Sequence, residues 1–252
     1  MSEAKKTSIL AHLRELRVRV MWSLGAVAVG TGVAFWQYSR IIELLKRPAE
    51  AAGNVTFIYN KITEGFSVSM RVSFIAGIII AMPVIMYHLL RFVTPALNGR
   101  EKRLVLLILP WVLVMFFGGV YFGYRFLIPP ATGFLINFGA DVANYLLNLG
   151  DYINFVTRLL LIIGLIFEMP VITTFLARIG ILSSKWMAGK RKIWVILAFV
   201  ISAVITPTPD AVNQSIVAGT LIVLYEVSIW MAWLVERGKK KKTDGLVTYG
   251  GK

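Results

Sequence analysis

Three carboxylates stand out as residues equipped for chemistry. Glu168 lies in Ile166-Phe167-Glu168-Met169-Pro170, inside a long apolar run and ten residues before Arg178. That places it ~15 Å from the end of its helix. A carboxylate at such a depth in hydrocarbon is costly, and it needs a partner, a cavity or a polar pathway. The alternative is a protonated acid bonded to a backbone carbonyl that Pro170 frees. Glu15 falls on a segment where Ile9, Leu13, Leu16 and Val20 share one helical face, and it points away from that face. It is either a surface partner of Arg19 at i,i+4, worth a few tenths of a kcal/mol, or a binding group. Glu101, in Asn98-Gly99-Arg100-Glu101, has the same two readings. Asn98 would cap a helix with Glu101 as its capping-box partner, or the carboxylate serves a ligand. Glu226, in the last apolar run, is a weaker candidate, because it falls near an interface.

Other chemistries lack their residues. There is no cysteine, and His12 and His88 are the only histidines, so neither a thiolate site nor a zinc site is expected. Gly189-Lys190 has Ser184 where a phosphate-binding loop needs its first glycine. No H-E-x-x-H or G-x-S-x-G occurs. We expect no enzyme activity, no cofactor and no metal.

The elements that position these groups are membrane spans. Of 252 residues, 57% are hydrophobic and 16% charged, with a mean hydropathy of +0.72. That balance marks a membrane protein. Crossing ~30 Å of hydrocarbon takes roughly 20 apolar residues. The candidate runs are Val20–Trp36, Val72–Leu90, Leu104–Phe126, Phe155–Leu176, Ile193–Thr206 and Val212–Leu234. Ala26-Val27-Ala28 resembles a signal-peptidase site, but its apolar run continues to Trp36, so the segment reads as an uncleaved span.

Charge sets the orientation. The chain carries 27 Lys+Arg against 13 Asp+Glu, a net +14, and 20 of the 27 fall in the N-terminal segment, the second and fourth loops and the tail. The positive-inside rule then places both termini in the cytoplasm, and the basic balance reflects topology, with no nucleic acid as a partner. The fifth run is short: 14 residues make ~21 Å of helix, and Pro207 and Pro209 stop it. The fifth and sixth helices should form a short hairpin and leave the bundle concave. Outside, Ala131–Gly150 carries Phe134, Phe138, Val142, Tyr145 and Leu146 close to helical spacing, which predicts an amphipathic helix over the outer face. The expected fold is all-α and polytopic, with six transmembrane helices. It has a cytoplasmic amphipathic segment (1–19), a membrane domain (20–236) and a basic, disordered cytoplasmic tail (237–252).

Five short motifs then stand in a telling order. They are His12-Leu13-Arg14-Glu15-Leu16-Arg17-Val18-Arg19, Phe92-Val93-Thr94-Pro95-Ala96-Leu97 followed by Glu101-Lys102-Arg103, Phe167-Glu168-Met169-Pro170, and Thr206-Pro207-Thr208-Pro209-Asp210 with Gln214. Each is weak alone, but the ordered set, from Ala11 to Glu236, resembles the TatC family, the multispanning core of the twin-arginine protein translocase. The chain departs from the family in having Lys61-Ile62-Thr63 before Glu64 with no proline, Phe66 two positions after that glutamate, and Asn98 where tyrosine is common.

The resemblance implies a protein of the prokaryotic cytoplasmic membrane that binds twin-arginine signal peptides of folded cargo. It implies assembly with TatA- and TatB-type single-span subunits and with further copies of itself, and transport driven by the proton-motive force. Glu15 and Glu101 fall where the family's acidic contacts to the signal arginines lie, with Arg17 and Phe92 beside them. A carboxylate fork suits a planar guanidinium, which lysine does not reproduce. Glu168 and Gln214 match intramembrane polar positions, and Pro48 and Asp210 match positions linked to assembly or loop structure. The competing function is a secondary transporter with Glu168 as its proton or cation site. The pairing of two interfacial carboxylates with a short hairpin, and no visible internal repeat, favour the translocase.

Overall fold

The computed structural model describes residues 3–53, 55–93, 99–137, 146–206 and 211–249. Ten α-helices and two short strands are found among them. Five helical stretches are long and apolar enough to cross a bilayer: Leu13–Trp36, Glu64–Phe92, Ile108–Asn137, Leu149–Ile179 and Ala211–Gly238. The fifth apolar run is helical but only 15 residues long, as its length in sequence leads one to expect. Two compact units divide the chain, Met1–Val114 with Ile136–Leu161, and Met115–Leu135 with Ile162–Lys252.

In the first unit, α1 (Glu3–Trp36) runs without a break from the amphipathic segment into the first span. It lies along α3 (Glu64–Val93). The two backbones meet where both helices have glycine: a Cβ on Gly30 would sit 2.7 Å from the Gly77 carbonyl oxygen. Small residues at a crossing let helices in lipid approach closely enough for dispersion to hold them. Between α1 and α3 lies α2 (Tyr38–Ala52), which buries Leu45, Pro48 and Ala49 and exposes its charged face.

Two outer segments pair as strands, β1 (Thr56–Ile58) and β2 (Leu146–Asn148), parallel, with Phe57 opposite Leu147. Leu146 is therefore in a strand, and the described helical part of the stretch Ala131–Gly150 is α5 (Ile128–Asn137) at its start and the first residues of α6 (Leu149–Ile166) at its end. Phe138, Val142 and Tyr145 lie outside the described residues. Backbone pairing with β1 offers Leu146–Asn148 hydrogen bonds that periodicity along one segment does not reveal. Glu64 secures this region. Its Oε2 accepts the Asn60 and Lys61 N–H groups at 2.7 and 3.2 Å, and its Oε1 accepts the Gly150 N–H at 3.2 Å. The starts of α3 and of α6 (Leu149–Ile166) thus share one carboxylate. Nearby, the Tyr152 hydroxyl donates to the buried Leu45 carbonyl at 2.7 Å.

The third apolar run is α4 (Gly99–Phe122), followed by a π-helical turn at Gly123–Leu127 and then α5. Pro129 and Pro130 have no N–H, so two rungs of the ladder are missing just after this turn. In the second unit, the fourth run is broken. α6 ends at Ile166 and α7 (Met169–Ile179) begins after Phe167 and Glu168, because Pro170 has no N–H to continue the ladder. Gly180, at φ 86°, closes α7, its N–H donating to the Ala177 carbonyl at 3.1 Å.

Around α10 (Ala211–Tyr249) pack α7, α8 (Ser184–Gly189) and α9 (Arg191–Ile205). Their core is Ala177, Met187, Tyr225, Ile229 and Ala232. Trp194 stacks on Tyr225 at 4.6 Å, and the Tyr225 hydroxyl donates to the Met187 carbonyl at 2.9 Å. The helix of α10 continues past Gly238 to Tyr249, where composition predicts an unstructured tail. Lysine is a good helix former, and a helix already nucleated by packing propagates cheaply.

Candidate functional site

α1 and α3 leave a groove of about 410 Å³ between them. From α1 it takes Leu16, Val20, Leu24 and Val27, with Arg19 and Ser23 beside them. Steps of three and four residues put these side chains on one stripe. α3 contributes Phe74, Ile78, Ile85, Leu89 and Phe92 opposite, with His88 among them. The groove is therefore an apolar slot, long enough for several side chains of an extended or helical segment.

Its polar groups gather at the end where Leu16 and Phe92 meet. Arg19 lines the slot and donates through Nε to Glu15 Oε1 at 3.1 Å, with Nη2 bonded to the same oxygen. The Ser23 hydroxyl donates back to the Arg19 carbonyl at 3.0 Å. The Glu15 side chain remains 35% exposed. The surface pair read from the i,i+4 spacing is thus present, and it stands at the mouth of an apolar groove. Arg91 stacks over Tyr87 and donates to its hydroxyl at 2.7 Å, which adds a second cation near this end of α3.

The expected site residues fall in different places. Glu15 and Phe92 are brought to the same end of the groove, while Arg17 is exposed and does not line it. Glu101 is on the first turn of α4, and its side chain lies outside the described residues, as does Asn98. Asp210, Pro207 and Pro209 lie outside them too. Pro48 is buried in α2, away from the groove lining.

The second unit holds Glu168 and Gln214. Glu168, in the break between α6 and α7, is 1% exposed. Neither carboxylate oxygen has a hydrogen-bond partner among the described residues, so the bond to a freed carbonyl is not made. A buried polar group without a partner costs the full desolvation of that group, more for a charged one, and invites a donor from outside. Gln214, near the start of α10, donates through Nε2 to the Phe199 carbonyl of α9 at 3.2 Å. It ties the two arms of the short hairpin together.

Three features escaped the sequence reading. Arg19 belongs to the groove itself and not only to the surface pair. His88 lines the groove with Nδ1 buried and without a partner among the described residues. The helical spacing of Phe74, Ile78, Ile85 and Phe92 would have placed it there. Glu226 forms a two-bond pair with Arg191 of α9, Nε to Oε1 at 2.6 Å and Nη2 to Oε2 at 3.0 Å. That hydrogen bond, and then the charge of Glu226, hold the Arg191 pKa above its usual value.

Comparison with known proteins gives this arrangement a family. A family model described as Sec-independent protein translocase protein (TatC) matches residues 11–219. The TatC of Aquifex aeolicus is 36% identical over 233 residues, covering 91% of this chain and 96% of that protein. The TatC of Koribacter versatilis is 35% identical over 243 residues, covering 94% and 89% respectively. That of Campylobacter jejuni is 38% identical over 237 residues, covering 92% and 96%. A crystal structure of the twin arginine translocase receptor TatC superposes with a TM-score of 0.80 at 36% identity, covering 89% of this chain and 99% of the other. A second, in the detergent DDM, gives 0.81 at the same identity, with 88% and 99% covered. The chain belongs to the TatC family of Sec-independent protein translocase proteins.

Proposed function

We propose that this protein is the signal-reading core of a twin-arginine translocase. It binds the signal peptides of folded cargo and nucleates the complex that moves them, driven by the proton-motive force. The observation that carries this reading is the α1–α3 groove, an apolar slot with a carboxylate–arginine pair at its mouth. A signal peptide has the complementary chemistry, a basic segment followed by an apolar one. Glu15 would exchange Arg19 for a signal arginine, an exchange of like for like with little net cost in charge. Glu101, from the start of α4, would take the second arginine. Phe92 and Leu16 would pack on the residues between, and Arg17 would contact the exposed side of the peptide.

The same reading assigns Glu168 and Gln214 to single-span partners of the TatA and TatB type. A partner helix bearing one polar side chain would satisfy the buried Glu168 carboxyl. Further copies of this chain would complete the assembly, with Pro48 and Asp210 shaping the outer segments they meet. The Lys/Arg distribution supports a cytoplasmic membrane location with both termini inside. The role is transport and not catalysis.

The test is direct. A photo-crosslinker in a twin-arginine signal peptide should capture α1 and α3 at Leu16, Val20 or Phe92 in the membrane-embedded chain. Crosslinks confined to α9 and α10 would remove the groove from recognition.

A further inference from the structure

A second groove, of about 520 Å³, lies in the other unit, where α8, the first residue of α9 and α10 come together. Ala188, Ile229, Trp230 and Trp233 make its walls. The two tryptophans are 71% and 47% exposed, large apolar faces left open three residues apart on α10. Tryptophan in that state is at home at the depth of lipid headgroups. The position along the helices agrees: the α10 span ends at Gly238, and the apolar α9 starts at Arg191.

The rim is cationic. Lys185 and Arg191 line the groove, and the Arg237 guanidinium lies 5.0 Å from the centre of the Trp233 ring. The nearby carboxylates are already committed. Glu226 takes both bonds from Arg191, and Glu236 accepts the Ser184 N–H at 2.7 Å and the Ser184 hydroxyl at 2.6 Å. The Ser184–Glu236 contact also brings their chain neighbours, Lys185 and Arg237, to the same end of the groove. Among the described residues, neither of these two cations forms an ion pair.

A slot with apolar walls and a cationic mouth at headgroup depth suits a ligand of two parts. A free phosphate would have no use for the walls, and a buried acyl chain alone would have no use for the cations. A zwitterionic lipid brings its own cation to the mouth and gains less there. We propose that this groove holds an anionic glycerophospholipid, its acyl chain along Ile229, Trp230 and Trp233 and its phosphate between Lys185 and Arg237. Charge complementarity is the argument for this occupant. A basic residue beside anionic lipid contributes about a fivefold gain in partitioning.

Brominated lipids test it, since bromine quenches tryptophan on contact. The full chain is reconstituted in phosphatidylcholine bilayers with increasing brominated phosphatidylglycerol or brominated phosphatidylcholine. The W230F/W233F chain supplies the background from the other tryptophans. Half-quenching of Trp230 and Trp233 should need about 25-fold less brominated phosphatidylglycerol than brominated phosphatidylcholine, about a fivefold gain from each of the two cations. In K185Q/R237Q the preference should all but vanish, with thermal unfolding little changed because the Arg191–Glu226 and Ser184–Glu236 contacts are kept and only the Arg237–Trp233 contact at the surface is lost. Equal quenching by the two lipids in the parent overturns the proposal. So does quenching by neither, which would mean that a protein helix covers the groove. An undiminished preference in K185Q/R237Q would remove these two residues from headgroup binding and overturn it as well.

Discussion

Gly30 of α1 and Gly77 of α3 meet backbone to backbone: a Cβ on Gly30 would lie 2.7 Å from the Gly77 carbonyl oxygen, and one on Gly77 would lie 2.7 Å from the Cα of Thr31. α1 has little else to hold it, since most of its apolar side chains, Met21, Trp22 and Val29 among them, are exposed. Gly77→Ala should therefore lower stability by about 1–3 kcal/mol, the usual cost of overpacking a tight contact. Gly25→Ala, with nothing within 4 Å of its new Cβ, should be neutral or mildly stabilising, as expected for alanine in a helix. Thermal unfolding in detergent reads both. A Gly77→Ala protein as stable as the parent would mean that the crossing is looser than it stands here.

Recognition rests on Glu15 and Glu101. Hydrogen bonds to charged groups contribute roughly 1.5–3 kcal/mol, so Glu15→Gln or Glu101→Gln should weaken a twin-arginine signal peptide about tenfold or more. A twin-lysine peptide should bind the parent weakly, and the glutamine changes should matter little to it. Arg19→Gln should leave Glu15 with a vacant fork and bind the twin-arginine peptide at least as well as the parent. Fluorescence anisotropy with labelled peptides measures all of these. Unaltered discrimination of arginine from lysine in the glutamine variants would leave Glu15 as a surface partner of Arg19 and Glu101 as a capping residue.

For Glu168, the amide variant separates two mechanisms. If the buried carboxyl waits for a hydrogen bond from a partner helix, Glu168→Gln should keep most transport and Glu168→Ala should lose it. A carrier that titrates at this position would fail with glutamine. Transport assays in membrane vesicles, with copurification of the single-span subunits, distinguish the two. Wild-type transport by the alanine form would take Glu168 out of the mechanism.

Glu64 is predicted to be structural. Its carboxylate accepts N–H groups at the starts of both α3 and α6. Glu64→Ala should expose the Gly150 amide and loosen the β1–β2 pair, while Glu64→Gln should preserve part of the protection. Hydrogen exchange at Gly150 is the measurement, and a fully protected amide in Glu64→Ala would show that the strand pairing stands without it.

What the sequence determined by itself is what depends on neighbours along the chain. Apolar runs of span length can only be helices in hydrocarbon, because every backbone donor must be satisfied locally, so the helices of this fold were legible. So was the Glu15–Arg19 pair, since i,i+4 fixes that distance. The ordered motifs carried the family.

Contacts between distant segments needed the tertiary structure. Nothing in Thr56–Ile58 or Leu146–Asn148 announces that the two pair, because a three-residue strand has too short a period to read and its partner lies far away in the chain. The stripe on α1 read only as the apolar face of an amphipathic segment until α3 was laid beside part of it and turned it into one wall of a groove. Arg19 became a groove residue for that reason alone. Glu226 looked like a carboxylate near the interface, and Arg191, thirty-five positions earlier, proved to be its partner. Side chains commit to a ligand or to one another according to what packing places within ~3 Å, and only the folded chain decides that.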